Sequence, residues 1–159
     1  GIGTQIVEEQ TNPVRQARQE DVSGIVEIIR PLEESGVLVR RSRDRLEQEI
    51  EQFLVAEVDA VVAGCCAVYP FGDSAELACI AVHGRYRRDS GLAIGANLLN
   101  SAEHNARNKG AKMLFALTTQ TQEWFSERGF NEADVSVLPE SKQSLYNWQR
   151  GSKVMTKNL

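Results

Sequence analysis

The sequence predicts an α/β (α+β) domain with elements in the order βααβββαβαββ, on three observations. FLVAEV, AVVAGCCAVYPF and SAELACIAVH follow one another through the middle of the chain. They are rich in Val, Ala, Ile and Cys and broken at Asp59 and Gly72-Asp73, the pattern of a three-strand meander. Apolar residues at 94, 98, 99 and 102 form the stripe of an amphipathic helix. The basic, glycine-containing stretch RYRRDSGLAIG precedes that helix and the apolar run KMLFALT follows it, so strand, loop, helix and return strand make a βαβ-like unit.

The elements follow in order. VRQAR at 14–18 reads as a short first strand. Asp21 stands where it can cap a helix that buries Val22, Ile25, Ile28 and Ile29 and that stops at Pro31. SGVLVRRSR at 35–43 is a connection. Ser42 or Asp44 then caps a second helix, with Leu46, Ile50 and Phe53 inward and an end near Gln52. After the meander, the long helix runs from Leu92 to Asn108 and is closed by Gly110. KMLFALT at 112–118 is a fourth core strand, QEWFSER at 122–128 a short helix ended by Gly129, and SKVMTKNL at 152–159 the last strand. Residues 1–13, GIGTQIVEEQTNP, carry none of this patterning. They read as a linker or the end of an upstream domain, which leaves 14–159 as one domain.

Composition narrows the function. With 159 residues, 42% hydrophobic and 25% charged, the chain has the balance of a globular domain that buries its own core. Its apolar runs are too short to span a bilayer and its N-terminus lacks the layout of a signal peptide, so the expectation is a cytoplasmic protein with no membrane partner. A net charge of -4 argues against a general nucleic-acid binder. Cys65, Cys66 and Cys79 lie in apolar runs with no CxxC or Cys/His spacing, so they read as small buried hydrophobes and no metal is expected.

Three constellations carry chemistry. In RRDSGLA at 87–93, Arg88, Gly91 and Ala93 match Arg/Gln-x-x-Gly-x-Gly/Ala at a helix start, where open N–H groups and the helix dipole favour a pyrophosphate; a plain solvated loop is the alternative. Glu76 is a carboxylate inside an apolar strand, sharing a face with Ala78, Ile80 and Val82. It suits a general base, or else an edge strand facing water. The arginines of RRSR at 40–43 and Arg150 are solvated cations when taken singly, and a carboxylate-binding set if the fold brings them together.

LACIAVHGRYR, the basic loop, the long helix, the strand ending in Thr118 and EWFSERGF together resemble motifs A and B of the GCN5-related N-acetyltransferase (GNAT) superfamily, over roughly 14–159. The resemblance implies a mixed, mostly antiparallel sheet of six to seven strands flanked by about four helices, and acetyl-CoA as cosubstrate. It gives the pantetheine to the backbone of Cys79, Ile80, Ala81 and Val82, with the Ile80 N–H as oxyanion donor. The pyrophosphate falls to Arg87, Arg88, Asp89, Ser90, Gly91, Leu92 and Ala93. Phe125, also assigned to the cofactor, stands where many members carry a tyrosine acid, and Gly84 where many carry proline.

GVLVRRSR, IRPLEESG, EWFSERGF, LPESKQSLYNWQR and RGSKV are, more narrowly, similar to the acetyltransferase domain of bacterial N-acetylglutamate synthases. Glu76 then deprotonates the amine of L-glutamate, and Thr118 or water protonates the departing thiolate. Val39, Arg41 and Cys79 hold one part of the acceptor, Arg150 and Ser152 another. GIGTQ resembles the close of the amino-acid-kinase-like, arginine-sensing domain of two-domain, homo-oligomeric synthases; fusion to argininosuccinate lyase is the other arrangement. The competing readings are an acetyltransferase for another small amine or a protein N-terminus, and a non-catalytic CoA-sensing module. A covalent acetyl-cysteine route is disfavoured because no cysteine pairs with a His/Asp set.

Overall fold

A computed structural model describes residues 14–87, 91–143 and 151–159. Seven strands, β1 (Val14–Gln16), β2 (Phe53–Val58), β3 (Val61–Phe71), β4 (Ser74–Val82), β5 (Met113–Thr118), β6 (Asn131–Ala133) and β7 (Lys153–Asn158), form a sheet in the order β1-β2-β3-β4-β5-β7-β6. Among the described residues there are five helices: α1 (Val22–Glu34), α2 (Arg43–Gln48), α3 (Gly91–Asn108), α4 (Gln122–Glu127) and α5 (Glu140–Gln143). The expected mixed sheet is present, with one helix more than the sequence foretold. None of these helices is long and apolar enough to cross a membrane. The chain divides into two compact units, Gly1–Ala67 with Cys79–Ala102, and Val68–Ala78 with Glu103–Leu159.

In the first unit β1 runs antiparallel to β2, and β2 to β3, where Phe53 faces Ala67 and Val58 faces Val61. The turn between β2 and β3 is made by Asp59 and Ala60, both left-handed (φ 52° and 65°), the conformation a two-residue hairpin demands. Helix α1 buries Val22, Ile25, Ile28 and Ile29, as its spacing predicts. It lies so close to β3 that a Cβ on Gly24 would stand 3.0 Å from the Val62 Cβ. Gly64 is tighter still: a Cβ there would meet Ile94 and Leu98 side chains at 2.9 Å. Arg15 ties the two ends of this layer together, its guanidinium reaching both oxygens of Asp21 and its Nε donating to Glu57. The hydrogen bond from Arg15 holds the Asp21 carboxyl below the usual carboxylate range.

Three local expectations are corrected here. Helix α1 does not stop at Pro31 but carries it inside and continues to Glu34. The hydrogen bond that proline forgoes is the one to the carbonyl of Glu27, an exposed residue, and the helix is closed further on. Gly36 (φ 83°) closes it in a Schellman arrangement, with Val37 N–H donating to the Leu32 carbonyl and Gly36 N–H to the Glu33 carbonyl. Helix α2 is capped by Ser42, whose hydroxyl accepts from Arg45 N–H, but it ends at Gln48; a 3-10 turn covers Ile50–Gln52, and Phe53 is buried from β2. Asp21, at the head of α1, accepts instead from Arg18 N–H.

In the second unit β4 runs parallel to β5 (Ser74 beside Met113, Glu76 beside Phe115), the crossover geometry the βαβ reading requires. β7 pairs antiparallel with β5 on one side and with β6 on the other. Phe115, Leu138 and Val154 centre its core, with Phe71, Met113 and Leu117 packed on them. The buried carboxylate of Glu103 is met by Lys157 Nζ at 2.8 Å, which also donates to the Arg128 carbonyl. Gly110 and Gly129 adopt left-handed conformations after α3 and α4, as expected of helix-ending glycines.

Candidate active site

In the second unit, Ala75, Glu76 and Leu77 are successive buried residues, so both faces of β4 are covered there. A carboxylate at such a position has its charge compensated, because desolvating an unpaired charge is costly. Lys142 does this, its Nζ 3.0 Å from Glu76 Oε1. Lys142 sits on α5, a single turn held down by Gln143, whose side-chain amide donates to the carbonyls of Leu138 and Ser136. Glu76 is therefore neither an edge-strand residue nor solvated.

Thr118 ends β5 opposite Lys153, the first residue of β7, and Ser152 precedes it half-buried. The Thr118 hydroxyl is buried and engaged: Thr121 N–H donates to it at 2.9 Å and the two threonine hydroxyls lie 2.6 Å apart. It fixes the turn into α4. Phe125, on α4, is buried edge-on against Trp124 and Phe130, with ring centroids 5.0 and 5.1 Å away, and offers no proton.

In the first unit, Cys79 is left-handed (φ 54°), an unusual conformation for a residue with a Cβ inside a strand. Its carbonyl accepts from the Cys65 thiol at 3.5 Å, and the Val82 carbonyl accepts from Arg87 Nε at 3.0 Å. Between them Ala81 is buried and Ile80 half-buried. Arg87 is thus tied to the strand's end, four residues before the start of α3 at Gly91; Ala93 is exposed in the first turn of that helix. His83 caps the intervening 3-10 turn, Nδ1 accepting from Arg85 N–H while Nε2 lies 2.7 Å from Glu27. Arg88, Asp89, Ser90, Arg150 and the side chain of Leu92 lie outside what is described.

Arg41 is 8% exposed, its Nη1 donating weakly to the Val39 carbonyl at 3.4 Å, whereas Val39 itself is 48% exposed. Burial pushes the Cys65 thiol well above its ordinary value, neighbouring Cys79 and Cys66 push it further, and the charge of Arg41 pulls the other way. Burial also raises the Cys66 thiol. Burial thus disfavours in both the thiolate form that a nucleophilic cysteine needs.

The second unit thus carries a buried carboxylate paired with a lysine, and the first a kinked strand with Arg87 at its end and, separately, the buried Arg41. The model of the "Acetyltransferase (GNAT) family" matches residues 19–130. The chain belongs to this family. Within it, the chain is 49% identical over its whole length to the amino-acid acetyltransferase of Vibrio cholerae and 52% identical to that of Yersinia pseudotuberculosis, spanning 36% of the length of each. It is similar in structure to N-acetylglutamate synthase from Neisseria gonorrhoeae complexed with coenzyme A and N-acetyl-glutamate, with 39% identity and a TM-score of 0.87, over 92% of this chain and 35% of that one. The seven-strand sheet is accordingly the GNAT fold.

Sequence reading of this GNAT chain passed over two groups. Lys142 lies within LPESKQSLYNWQR and Glu33 within IRPLEESG, which also holds its i,i+3 partner Arg30, yet neither phrase tells that Lys142 meets Glu76 or that Glu33 meets the Arg41 backbone. The Thr118 to Thr121 bond, by contrast, has a local signature, a hydroxyl residue three positions before a backbone donor.

Proposed function

We propose that this chain is the acetyl-transferring domain of an N-acetylglutamate synthase, moving an acetyl group from acetyl-CoA to the α-amine of L-glutamate. The observation that carries this is the likeness to the Neisseria synthase in complex with coenzyme A and N-acetyl-glutamate. Buried Glu76 supports it. In the proposed reaction the Glu76 carboxylate takes one proton from the acceptor's ammonium, and the freed amine attacks the thioester carbonyl carbon, forming a C–N bond. The oxyanion is met by the backbone N–H of Ile80. The intermediate then expels the thiolate as the C–S bond breaks, and the second nitrogen proton passes to sulfur through Thr118 or water. One proton leaves through Glu76 to solvent, so the balance is N-acetylglutamate, CoA and H⁺.

Arg41 and the backbone of Val39 and Cys79 hold one carboxylate of glutamate, and Arg150 with Ser152 the other. The pyrophosphate lies along residues 87–93, where a helix start and three arginines, Arg85, Arg87 and Arg88, favour an anion. In the longer protein, residues 1–13 link this domain to an amino-acid-kinase-like, arginine-sensing domain of a cytoplasmic homo-oligomer. The test is a thiol-release assay with acetyl-CoA against glutamate, glutamine, other amino acids and a peptide amine. Turnover with glutamate and little with glutamine is expected, since glutamine lacks the second charge. Equal rates with glutamine or the peptide would overturn the glutamate assignment, and no CoA release with any amine would overturn catalysis.

A further inference from the structure

The segment carrying Arg41 is a surface connection, which ordinarily satisfies its backbone with water. Here it does not. The Arg41 N–H donates to Glu33 Oε2 at 2.9 Å, and Arg30 Nη1 donates to the Arg41 carbonyl at 2.8 Å. Those two side chains, three residues apart on α1, are themselves paired at 2.5 Å, and the Glu33 carboxylate is almost fully buried. One ion pair therefore grips the backbone on both sides of a single Cα. The residues leading to it are held as well: Val37 and Leu38 N–H both donate to the Leu32 carbonyl.

We infer that Glu33 and Arg30 are positioning residues for the acceptor site, a clamp that fixes the Arg41 backbone so that only its side-chain torsions are left to set. This rests on the proposed role of Arg41 in holding a carboxylate of glutamate. A bidentate contact to a carboxylate tolerates little error in the placement of its guanidinium, and a shift of about 1 Å in a group that positions substrate can cost on the order of a hundredfold. A buried carboxylate used on loop backbone is also an expensive way to hold a loop, unless the position of that loop matters.

The experiment is steady-state kinetics and thermal melting on the full chain, as wild type, Arg41→Ala, Glu33→Gln and the double variant. Glu33→Gln keeps the shape and one acceptor but removes the charge that holds Arg30. The expected result is a rise in the KM for glutamate of about tenfold, with kcat and the KM for acetyl-CoA within about twofold of wild type. In the Arg41→Ala background the Glu33 effect on glutamate KM should vanish, because the clamp acts only through Arg41. A Glu33→Gln variant that melts lower yet keeps its glutamate KM, or effects that multiply in the double variant, overturns the clamp. If Arg41→Ala itself leaves glutamate KM unchanged, the proposed role of Arg41 fails first, and the clamp with it. Arg30→Lys, which keeps the charge but loses the guanidinium fork, is read by the same criteria should Glu33→Gln not fold.

Discussion

Glu33 and Glu76 are both buried glutamates that face a cation, and what separates them is how that cation is attached. Glu33 meets Arg30 one turn away on the same helix, and both also bond to a third group, the Arg41 backbone. Glu76 meets Lys142, which comes from a one-turn helix elsewhere in the chain and touches it through a single 3.0 Å contact. The first carboxylate is locked. The second is held through one ion pair, which under the proposed function an incoming amine displaces. Burial alone does not distinguish a structural carboxylate from a proton acceptor; under the proposed function, how its partner is attached does.

The sharpest way to break this comparison is Glu76→Gln. If the exchangeable carboxylate is the base, turnover should fall by roughly a hundredfold or more while acetyl-CoA still raises the melting temperature. Near wild-type turnover would remove Glu76 from the chemistry. The locked carboxylate should reveal itself in stability instead: Glu33→Ala strands Arg30 and the Arg41 N–H, a loss of about 2–3 kcal/mol given that Arg30 keeps some solvent contact. That corresponds to a melting temperature lower by about 4–12 °C, read by calorimetry or circular dichroism. The smallest effect sharpens the contrast. Lys142→Met frees Glu76 from its competitor, so the glutamate KM should drop, by about two- to fivefold, the worth of a partly exposed ion pair. A KM that stays put or climbs would mean that Lys142 does not compete with the acceptor.

Much of the fold was legible because its signals are local. The stripe at 94, 98, 99 and 102 sits on α3, with all four residues at 3% exposure or less. Ser42 caps its helix, and Gly110 and Gly129 end theirs. Pro31 misled because the rule for proline concerns the hydrogen bond it lacks, and here closure five residues later outweighs that bond. The predicted order asks for a strand ahead of 152–159 but not where it lies, and residues 131–143 gave no warning of α5, since three- and four-residue elements have no periodicity to read. The charged contacts of the site were hidden for a different reason. That Lys142 meets Glu76 is decided by packing between segments remote in sequence, and that Glu33 meets the Arg41 backbone by the course of an unpatterned connection. Nor does Cys79 announce its left-handed backbone, a conformation usually marked by glycine.

That kink at Cys79 also bears on how β4 finds its alignment during folding. Were the strand to slide by one residue, Glu76 would turn to the opposite face of the sheet. The left-handed position would then fall on Ala78 or on Ile80, and a β-branched isoleucine tolerates it worst. A slipped strand is thus penalised twice, once for carrying Glu76 away from its cation and once for bending at the wrong residue. The same irregularity that costs the native strand some strain makes its misaligned competitors costlier still, and keeps the carboxylate facing the side on which Lys142 waits.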